Sequence, residues 1–142
     1  MDLLLCARMG SSRLPGKALM EIGDNKNCLD LIIEKVRSSI DIDKVILATT
    51  TSNLDDKLEE WSIDKDIEVF RGSEKDVLGR LNEAVNKFKC EDIIEILGDN
   101  PLVPIDLITQ CVDSYKSLDN GINYLASATS EYKFSRKNNI YP

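Results

Sequence analysis

Residues 3–17 read L-L-L-C-A-R-M-G-S-S-R-L-P-G-K, and this stretch decides the fold. The run from Leu3 to Cys6 is continuously apolar, which is typical of a short strand covered on both faces of its sheet. The loop that follows is polar, contains two glycines and leads towards a helical pattern. A buried strand followed by such a loop and a helix is how a parallel, alternating fold begins.

The same alternation continues along the chain. Further strands are predicted at residues 44–49, 67–70 and 92–97, and a weaker one at residues 123–127. Between the strands, apolar residues recur at helical spacing. These stripes are Leu29, Ile32, Ile33 and Val36; Leu54, Leu58 and Trp61; Leu78, Leu81, Val85 and Phe88; and Ile108, Cys111, Val112 and Tyr115. Ser73 and Asp76 are spaced as a capping box for the third helix. The pattern predicts an α/β fold with a mostly parallel sheet and helices on both faces.

Composition excludes several classes of function. The chain has 142 residues, a formal net charge of −7 and no histidine. The length suits one domain. The acidic balance argues against a non-specific nucleic-acid partner, which needs a basic face for phosphates. No apolar run approaches the roughly 20 residues of a membrane span, and we see no signal peptide. The lack of histidine excludes Ser-His-Asp triads and histidine-rich zinc sites.

The four cysteines form no Cys-x-x-Cys pair. They lie in or beside apolar segments, so we expect reduced, mostly buried thiols and a cytoplasmic protein. Residues 128–142 are polar and without period. They represent either a frayed terminus or a chain cut within a larger fold, and both alternatives stay open.

The loop after the first strand has the composition of an anion site. Ligands of open parallel sheets bind at the carboxyl ends of the strands, where this loop begins. Gly10 and Gly16 let the backbone approach a ligand, and amides around Gly10-Ser11-Ser12 are suited to an anion-binding concavity. The loop also concentrates three cations in an acidic chain: Arg8, Arg13 and Lys17. Phosphate binding and an ordinary exposed connection both remain open here.

Asp99 follows the fourth predicted strand directly, between Gly98 and Asn100. A carboxylate at this edge is a suitable ligand for Mg²⁺, which often contacts a protein through one or two carboxylates. The alternative is that Asp99 caps the short turn that follows.

Together these segments resemble a known family. The motifs are C-A-R-M-G-S-S-R-L-P-G-K, V-I-L-A-T-T, V-F-R-G-S-E-K-D-V-L-G-R and L-G-D-N-P-L-V, in this order between residue 3 and about residue 110. They resemble the cytidylyltransferase family of CMP-sugar synthetases, and most of all its spore-coat-polysaccharide branch. The synthetases that activate Kdo and acylneuraminate sugars are more distant relatives.

The resemblance implies a three-layer α/β/α, Rossmann-like nucleotidyltransferase (GT-A-like) fold. It implies a nucleotide-binding domain at residues 1–127 and the start of a second half at residues 128–142. It also implies a role for particular residues. The loop Ala7, Arg8, Met9, Gly10, Ser11, Ser12, Arg13 and Lys17 would wrap the CTP phosphates, with Arg13 and Lys17 as the main charge contacts. Thr49 and Thr50 would lie near the base or ribose, Arg71, Gly72, Ser73 and Arg80 would line the cleft, and Asp99 would hold Mg²⁺.

The implied reaction transfers CMP from CTP to a sugar acid or related sugar and releases pyrophosphate. Catalysis would rest on Arg13, Lys17 and Asp99, with CTP and a sugar as partners and a homodimer as the assembly.

Three features depart from the pattern of that family: Cys6 replaces a usual Gln, Leu97 replaces a usual Thr, and the chain stops at Tyr141-Pro142. We therefore expect part of a longer enzyme. A non-catalytic nucleotide-binding remnant or interaction module, and a nucleotidyltransferase for another nucleoside triphosphate, are the alternatives.

Overall fold

The computed structural model of the chain describes residues 1–118 and residue 125. The chain divides into two units, Met1–Leu102 and Val103–Pro142. The predicted boundary between residues 127 and 128, the predicted fifth strand apart from Leu125, and the polar tail lie outside the described residues.

A four-stranded parallel sheet forms the centre of the first unit. Its strands are β1 (Asp2–Cys6), β4 (Val45–Thr50), β5 (Glu68–Gly72) and β6 (Ile93–Leu97), in the spatial order β5-β4-β1-β6. Leu4 of β1 lies between Ile46 of β4 and Glu95 of β6 in the register of the sheet. The central position of β1 explains its unbroken apolar sequence, because Leu3, Leu4 and Leu5 are all 0% exposed.

Three helices connect these strands: α1 (Cys28–Arg37), α2 (Asp56–Ile63) and α3 (Val77–Phe88). The chain moves in one direction from β1 to β4 to β5 and then returns past β1 to β6. Right-handed crossovers therefore place α1 and α2 on one face of the sheet and α3 on the other. The predicted α/β architecture, with a parallel sheet between helical layers, is confirmed.

The core on the α3 face shows how this helix packs. Leu81 and Ala84 of α3 lie in one buried cluster with Leu4, Ile46 and Ala48 of the sheet, and Val85 and Phe88 pack against it. The predicted stripe is wrong at Leu78, which is 52% exposed, whereas Arg80 is buried.

The inward face of α2 also differs from the prediction. Leu58 is buried, but Leu54 is 64% exposed. Trp61 of the predicted stripe is half-buried, and two polar residues, Asp55 and Ser62, share the inward face with Leu58. Polar groups at these positions are satisfied by hydrogen bonds; the Ser62 hydroxyl, for example, donates to the Leu58 carbonyl at 2.8 Å.

The predicted capping box at α3 is replaced by a simpler cap. The N-cap is Asp76, whose side chain accepts from the Gly79 amide at 2.8 Å. Ser73 lies before the helix, and its hydroxyl accepts from the Asp76 amide at 3.0 Å.

A short hairpin between β1 and α1 escaped the sequence prediction. It pairs β2 (Glu21–Gly23) with β3 (Lys26–Asn27) in antiparallel fashion. Its two turn residues, Asp24 and Asn25, have φ angles of 51° and 56°. Asp and Asn are the residues other than Gly that tolerate this left-handed conformation best, which was the missed signal.

The described part of the second unit contains α4 (Ile105–Ser117). Ile108 and Val112 of the predicted stripe are buried. No helix in the described part of the chain has the length and apolar character needed to cross a membrane.

Candidate functional site

The strand order creates a crevice at one edge of the sheet. Connections leave β1 towards β4 on one side, while β6 joins on the other, so the order switches at β1. The loops after β1 and β6 therefore flank the place where ligands of open α/β sheets bind. Within this crevice the Lys17 ammonium donates to the Asp99 carboxylate, although the two residues lie 82 positions apart. Their side chains are 29% and 46% exposed, so a ligand can reach both.

The loop after β1 is closed around the peptide groups of Met9. The Met9 carbonyl accepts from the amides of Ser11 and Gly16, each at 2.9 Å. Gly16 has a φ of 77°, the left-handed region in which glycine is favoured. Within residues 1–118, the amides of Gly10, Ser12 and Arg13 donate to no acceptor. These amides are available for an anion, and their contact with one stays a prediction.

The three cations of this loop differ in their surroundings. Arg8 pairs with Glu74 at 3.2 Å, and both side chains are about half exposed. Lys17 pairs with Asp99, as described. Arg13 is exposed and forms no ion pair within the described residues. The loop thus presents one free guanidinium and one ammonium held at the crevice.

Asp99 is held as a charged carboxylate. The hydrogen bond from Lys17 lowers the pKa of Asp99 below its ordinary value, against the effect of partial burial, and the charge of Arg13 adds to this. Asp99 does not cap a helix, since α4 begins at Ile105 with Pro104 as its N-cap. Whether Asp99 caps the short turn that follows β6 stays open, and its pairing with Lys17 directs the carboxylate to the loop after β1.

Gly98 brings the loop after β6 close to β1. Its amide donates to the Cys6 carbonyl at 2.9 Å. A Cβ at this position would lie 2.7 Å from the Leu29 side chain and 2.8 Å from the Ala7 Cβ. Only glycine allows this approach, which sets the position of the neighbouring Asp99.

Thr49 and Thr50, at the end of β4, are buried at 0% and 1% exposure. Both hydroxyls donate to Asp55, and the Thr50 amide donates to the same carboxylate at 3.1 Å. Their side chains therefore support the scaffold of this edge. Their proximity to a base or ribose stays a prediction.

Asp55 was missed by the sequence analysis. It lies in a stretch rich in acids, where a solvated side chain would be expected, yet it is 1% exposed. Burial raises its pKa, but the hydrogen bonds from Thr50, Met9 and Thr49 outweigh this and lower the pKa below its ordinary value. Its only sequence signal was its position three residues before Leu58, on the inward helical face.

The Arg71 side chain forms hydrogen bonds and ion pairs with neighbouring residues of the fold. Its guanidinium donates to the carbonyls of Thr50 and Ser52, at 2.9 and 2.8 Å, and pairs with Asp56 and Glu59. The hydrogen bond with Asp56, followed by that with Glu59, raises the pKa of Arg71. Its predicted contact with a nucleotide stays a prediction, and here the side chain joins β5 to the beginning of α2.

Gly72, Ser73 and Arg80 pack together beside Cys6. A Cβ on Gly72 would lie 2.8 Å from the Phe70 ring and 2.9 Å from the Arg80 side chain. Arg80 is 2% exposed and donates to the Ser73 carbonyl at 2.6 Å and to the Cys6 sulfur at 3.3 Å. Cys6 thus accepts a hydrogen bond from a buried cation. The predicted role of these residues in lining a nucleotide cleft is untested.

Asp99 also defines what kind of metal site this edge offers. No cluster of three or more metal-ligating side chains occurs in the part of the chain that the structure describes. A single accessible carboxylate fits Mg²⁺, which keeps several waters and takes further oxygens from substrate phosphates. It does not fit a structural metal such as zinc, which needs four protein ligands.

The comparison with protein families agrees with this geometry. A family model described as cytidylyltransferase matches residues 3–139. The chain belongs to the cytidylyltransferase family. The motifs quoted above lie within the matched range, including both loops of the crevice.

The chain is similar to two kinds of curated relative. It is 36% identical over 129 residues to the spore coat polysaccharide biosynthesis protein SpsF of Bacillus subtilis, covering 88% of this chain and 53% of the relative. It is 32% identical over 130 residues to the 3-deoxy-manno-octulosonate cytidylyltransferase of Thermodesulfovibrio yellowstonii, covering 84% and 49%. The chain spans about half the length of these curated relatives.

Solved structures support the fold. A cytidylyltransferase from Leptospira borgpetersenii aligns with a TM-score of 0.76 at 34% identity, over 85% of this chain and 50% of that one. A CMP:2-keto-3-deoxy-manno-octonic acid synthetase complexed with CTP aligns with a TM-score of 0.64 at 22% identity, over 81% and 46%. The second likeness shows the fold alone.

Proposed function

We propose that this chain provides the nucleotide half of a CMP-sugar synthetase, in which CMP is transferred from CTP to a sugar acid or related sugar in surface-polysaccharide synthesis. The observation that carries the proposal is the meeting of Lys17 and Asp99 at the switch point of the sheet. This pair joins the two loops whose sequences resemble the cytidylyltransferase family. The names of the relatives, SpsF and the Kdo cytidylyltransferases, supply the class of product.

The loop after β1 is the proposed triphosphate site. Its free amides at Gly10, Ser12 and Arg13 supply donors without a competing acceptor among the described residues. Arg13 and Lys17 add two positive charges, which would attract the negatively charged phosphates of CTP. Lys17 lies at the same edge of the sheet as these amides, and its side chain is 29% exposed, so its ammonium is accessible to a phosphate oxygen.

In the proposed reaction a sugar hydroxyl attacks the α-phosphorus of CTP, the bond to the β-phosphate oxygen breaks, and pyrophosphate leaves. The side chains of this chain orient the triphosphate and neutralise charge as it shifts towards the leaving group. Arg13 and Lys17 perform the second task. A sugar-binding wall is assigned to no described residue, and we place it in the part of the enzyme that relatives have beyond the aligned half.

Asp99 is the residue that would hold Mg²⁺ in this proposal. When bound, the ion supplies Lewis-acid polarisation of the phosphates. Asp99 would then hold the ion, and Lys17 would be available to pair with the phosphates.

The cytoplasm is the proposed location. All four cysteines are free thiols: Cys6, Cys28, Cys90 and Cys111. Free thiols persist in a reducing compartment such as the cytoplasm.

Nucleotide choice tests the proposal directly. Calorimetry in the presence of Mg²⁺ should show that the chain binds CTP more tightly than ATP, GTP or UTP. Equal affinity for all four would leave only phosphate recognition and would contradict the cytidine assignment. Tighter binding of UTP or GTP would favour another nucleotidyltransferase.

The two loop cations should contribute to affinity far more than to stability. Lys17→Ala and Arg13→Ala each remove a charge-assisted contact with phosphate, worth roughly 1.5–3 kcal/mol of binding free energy. Each should leave the free energy of unfolding within about 0.5 kcal/mol, as for other surface substitutions. Arg37→Ala is the matched control, because Arg37 is an exposed cation at the far end of α1. Unchanged CTP affinity in both loop variants would show that the loop is only a connection.

A further inference from the structure

Asp55 is a buried carboxylate that has no cationic partner among the described residues. It is 1% exposed, at the end of a short 3-10 turn (Asn53–Asp55) that leads into α2. One oxygen accepts from the Met9 amide at 2.7 Å. The other accepts from the Thr49 hydroxyl at 3.0 Å, from the Thr50 amide at 3.1 Å and from the Thr50 hydroxyl. Four donors therefore converge on two oxygens.

These donors come from segments that are distant in sequence. Met9 lies 46 positions before Asp55, in the loop after β1. Thr49 and Thr50 end β4. The carboxylate thus ties the loop after β1 to the carboxyl end of the neighbouring strand.

Met9 transmits this restraint to the whole loop. Its amide donates to Asp55, while its carbonyl accepts from Ser11 and Gly16. A restraint on this one residue therefore fixes both the start of the loop and the point at which the loop closes. Arg13 lies within the closed segment, and Lys17 follows it directly.

We propose that Asp55 is a positioning residue for the nucleotide site, acting through Met9 to hold the loop after β1 in the shape that presents its amides, Arg13 and Lys17 to phosphate. The inference rests on the proposed function of that loop. Asp55 does not contact the nucleotide itself, because it is buried and both of its oxygens are occupied.

The chemistry of the site requires a carboxylate. An amide at this position has only one acceptor oxygen. The threonine hydroxyls can rotate to accept from the new NH₂ group, but the two peptide amides, of Met9 and Thr50, can only donate. Asparagine therefore satisfies one of these amides and leaves the other without an acceptor.

The test compares Asp55→Asn with Leu58→Ala. Leu58 is fully buried in α2, the helix that follows Asp55, but forms no part of the loop restraint, so its truncation lowers global stability alone. Two quantities are measured at a temperature at which all variants stay folded. One is hydrogen exchange of individual amides in the nucleotide-free chain, and the other is CTP affinity by calorimetry.

For Asp55→Asn, we expect the largest change in hydrogen exchange within the loop after β1. Exchange at Met9, Ser11 and Gly16 should accelerate by about 5- to 150-fold, the equivalent of one buried amide left without an acceptor, whereas exchange within β6 should accelerate no more than the loss of global stability requires. CTP affinity should fall in the same range. Leu58→Ala should leave CTP affinity unchanged and accelerate exchange without preference for the loop.

The result that overturns the proposal is a pattern in which Asp55→Asn behaves as Leu58→Ala does. Thr49→Val provides a second variant if Asp55→Asn fails to fold, since it removes one donor and keeps the carboxylate. It should produce a smaller effect in the same direction, and no effect on loop exchange or affinity would contradict the proposal. Failure of the unaltered chain to bind CTP would instead overturn the proposed function, and the exchange comparison would still decide whether Asp55 holds the loop.

Discussion

Asp55 keeps its charge at a buried position through hydrogen bonds alone. Burial is the largest single influence and raises its pKa, but donors from Thr50, Met9 and Thr49 together lower the pKa below the ordinary value. The folded state therefore binds a proton at Asp55 less readily than the unfolded chain does, which links this side chain to acid stability.

The pH dependence of stability should reveal this link. Because the folded pKa is lowered, the contribution of Asp55 is fully present above the unfolded value of about 3.8 and is lost as the pH falls through the folded pKa. At neutral pH, Asp55→Asn should lower the free energy of unfolding by about 1–3 kcal/mol. Urea titrations between neutral and acidic pH should show that this difference shrinks as the pH falls below that value.

A neighbouring aspartate provides the control for that titration. Asp64 is exposed at the end of the same helix. Asp64→Asn should change stability little at neutral pH. A constant difference between the unaltered chain and Asp55→Asn over the whole pH range would show that the charge of Asp55 is not what stabilises the fold.

The sequence predicted the charged residues of the crevice better than the buried residues that hold the crevice loops in place. Arg13, Lys17 and Asp99 stand out because they carry charge and lie in loops that follow predicted strands, although β6, which precedes Asp99, is mostly exposed. Asp55 does not stand out, because nothing local distinguishes it from the exposed acids around it. Its burial depends on donors from Met9 and Thr50, and such convergence exists only after the strands have paired.

At the scale of secondary-structure elements, the strands were easier to predict than the helical faces. Strand β1 was identified by its continuous apolar run. Helices α2 and α3 were identified by spacing, but Leu54 and Leu78 are exposed and Asp55 and Arg80 are buried in their place. Polar side chains can be buried on these helical faces because residues at the carboxyl edge of the sheet form hydrogen bonds with them. The exceptions to the apolar pattern therefore mark the edge that carries the site.

The loop after β6 depends on the absence of a side chain at Gly98. Gly98→Ala should lower the free energy of unfolding by about 1–3 kcal/mol, since its Cβ would overlap Leu29 and Ala7 and force them apart. Chemical denaturation measures the effect. Gly10→Ala is the matched control, because its nearest neighbour is a Glu74 oxygen 4.0 Å away. Equal stability of the two variants would contradict the close approach of this loop to β1.

At the scale of the whole molecule, an acidic protein is proposed to bind a polyanion. The net charge is −7, yet the loop after β1 is locally cationic. Screening by salt explains how an acidic chain can still attract phosphates to a cationic loop. Charges interact over about 30 Å at 0.01 M salt but only about 8 Å at physiological ionic strength. Near physiological salt, the phosphates should therefore respond mainly to Arg13 and Lys17, and little to the distant acids.

The salt dependence of CTP affinity should consequently depend on the charges that lie close to the loop after β1, and little on the net charge of the chain. Arg13→Ala and Arg37→Ala each remove one positive charge, the first beside the crevice and the second at the far end of α1. Adding NaCl should weaken CTP binding by the unaltered chain and by Arg37→Ala in parallel. It should weaken binding by Arg13→Ala less steeply, because one screened contact has been removed. Calorimetric titrations over a series of NaCl concentrations give the three slopes. If Arg37→Ala altered the slope as much as Arg13→Ala, the general field of the protein would govern CTP binding, and the loop after β1 would lose its special role.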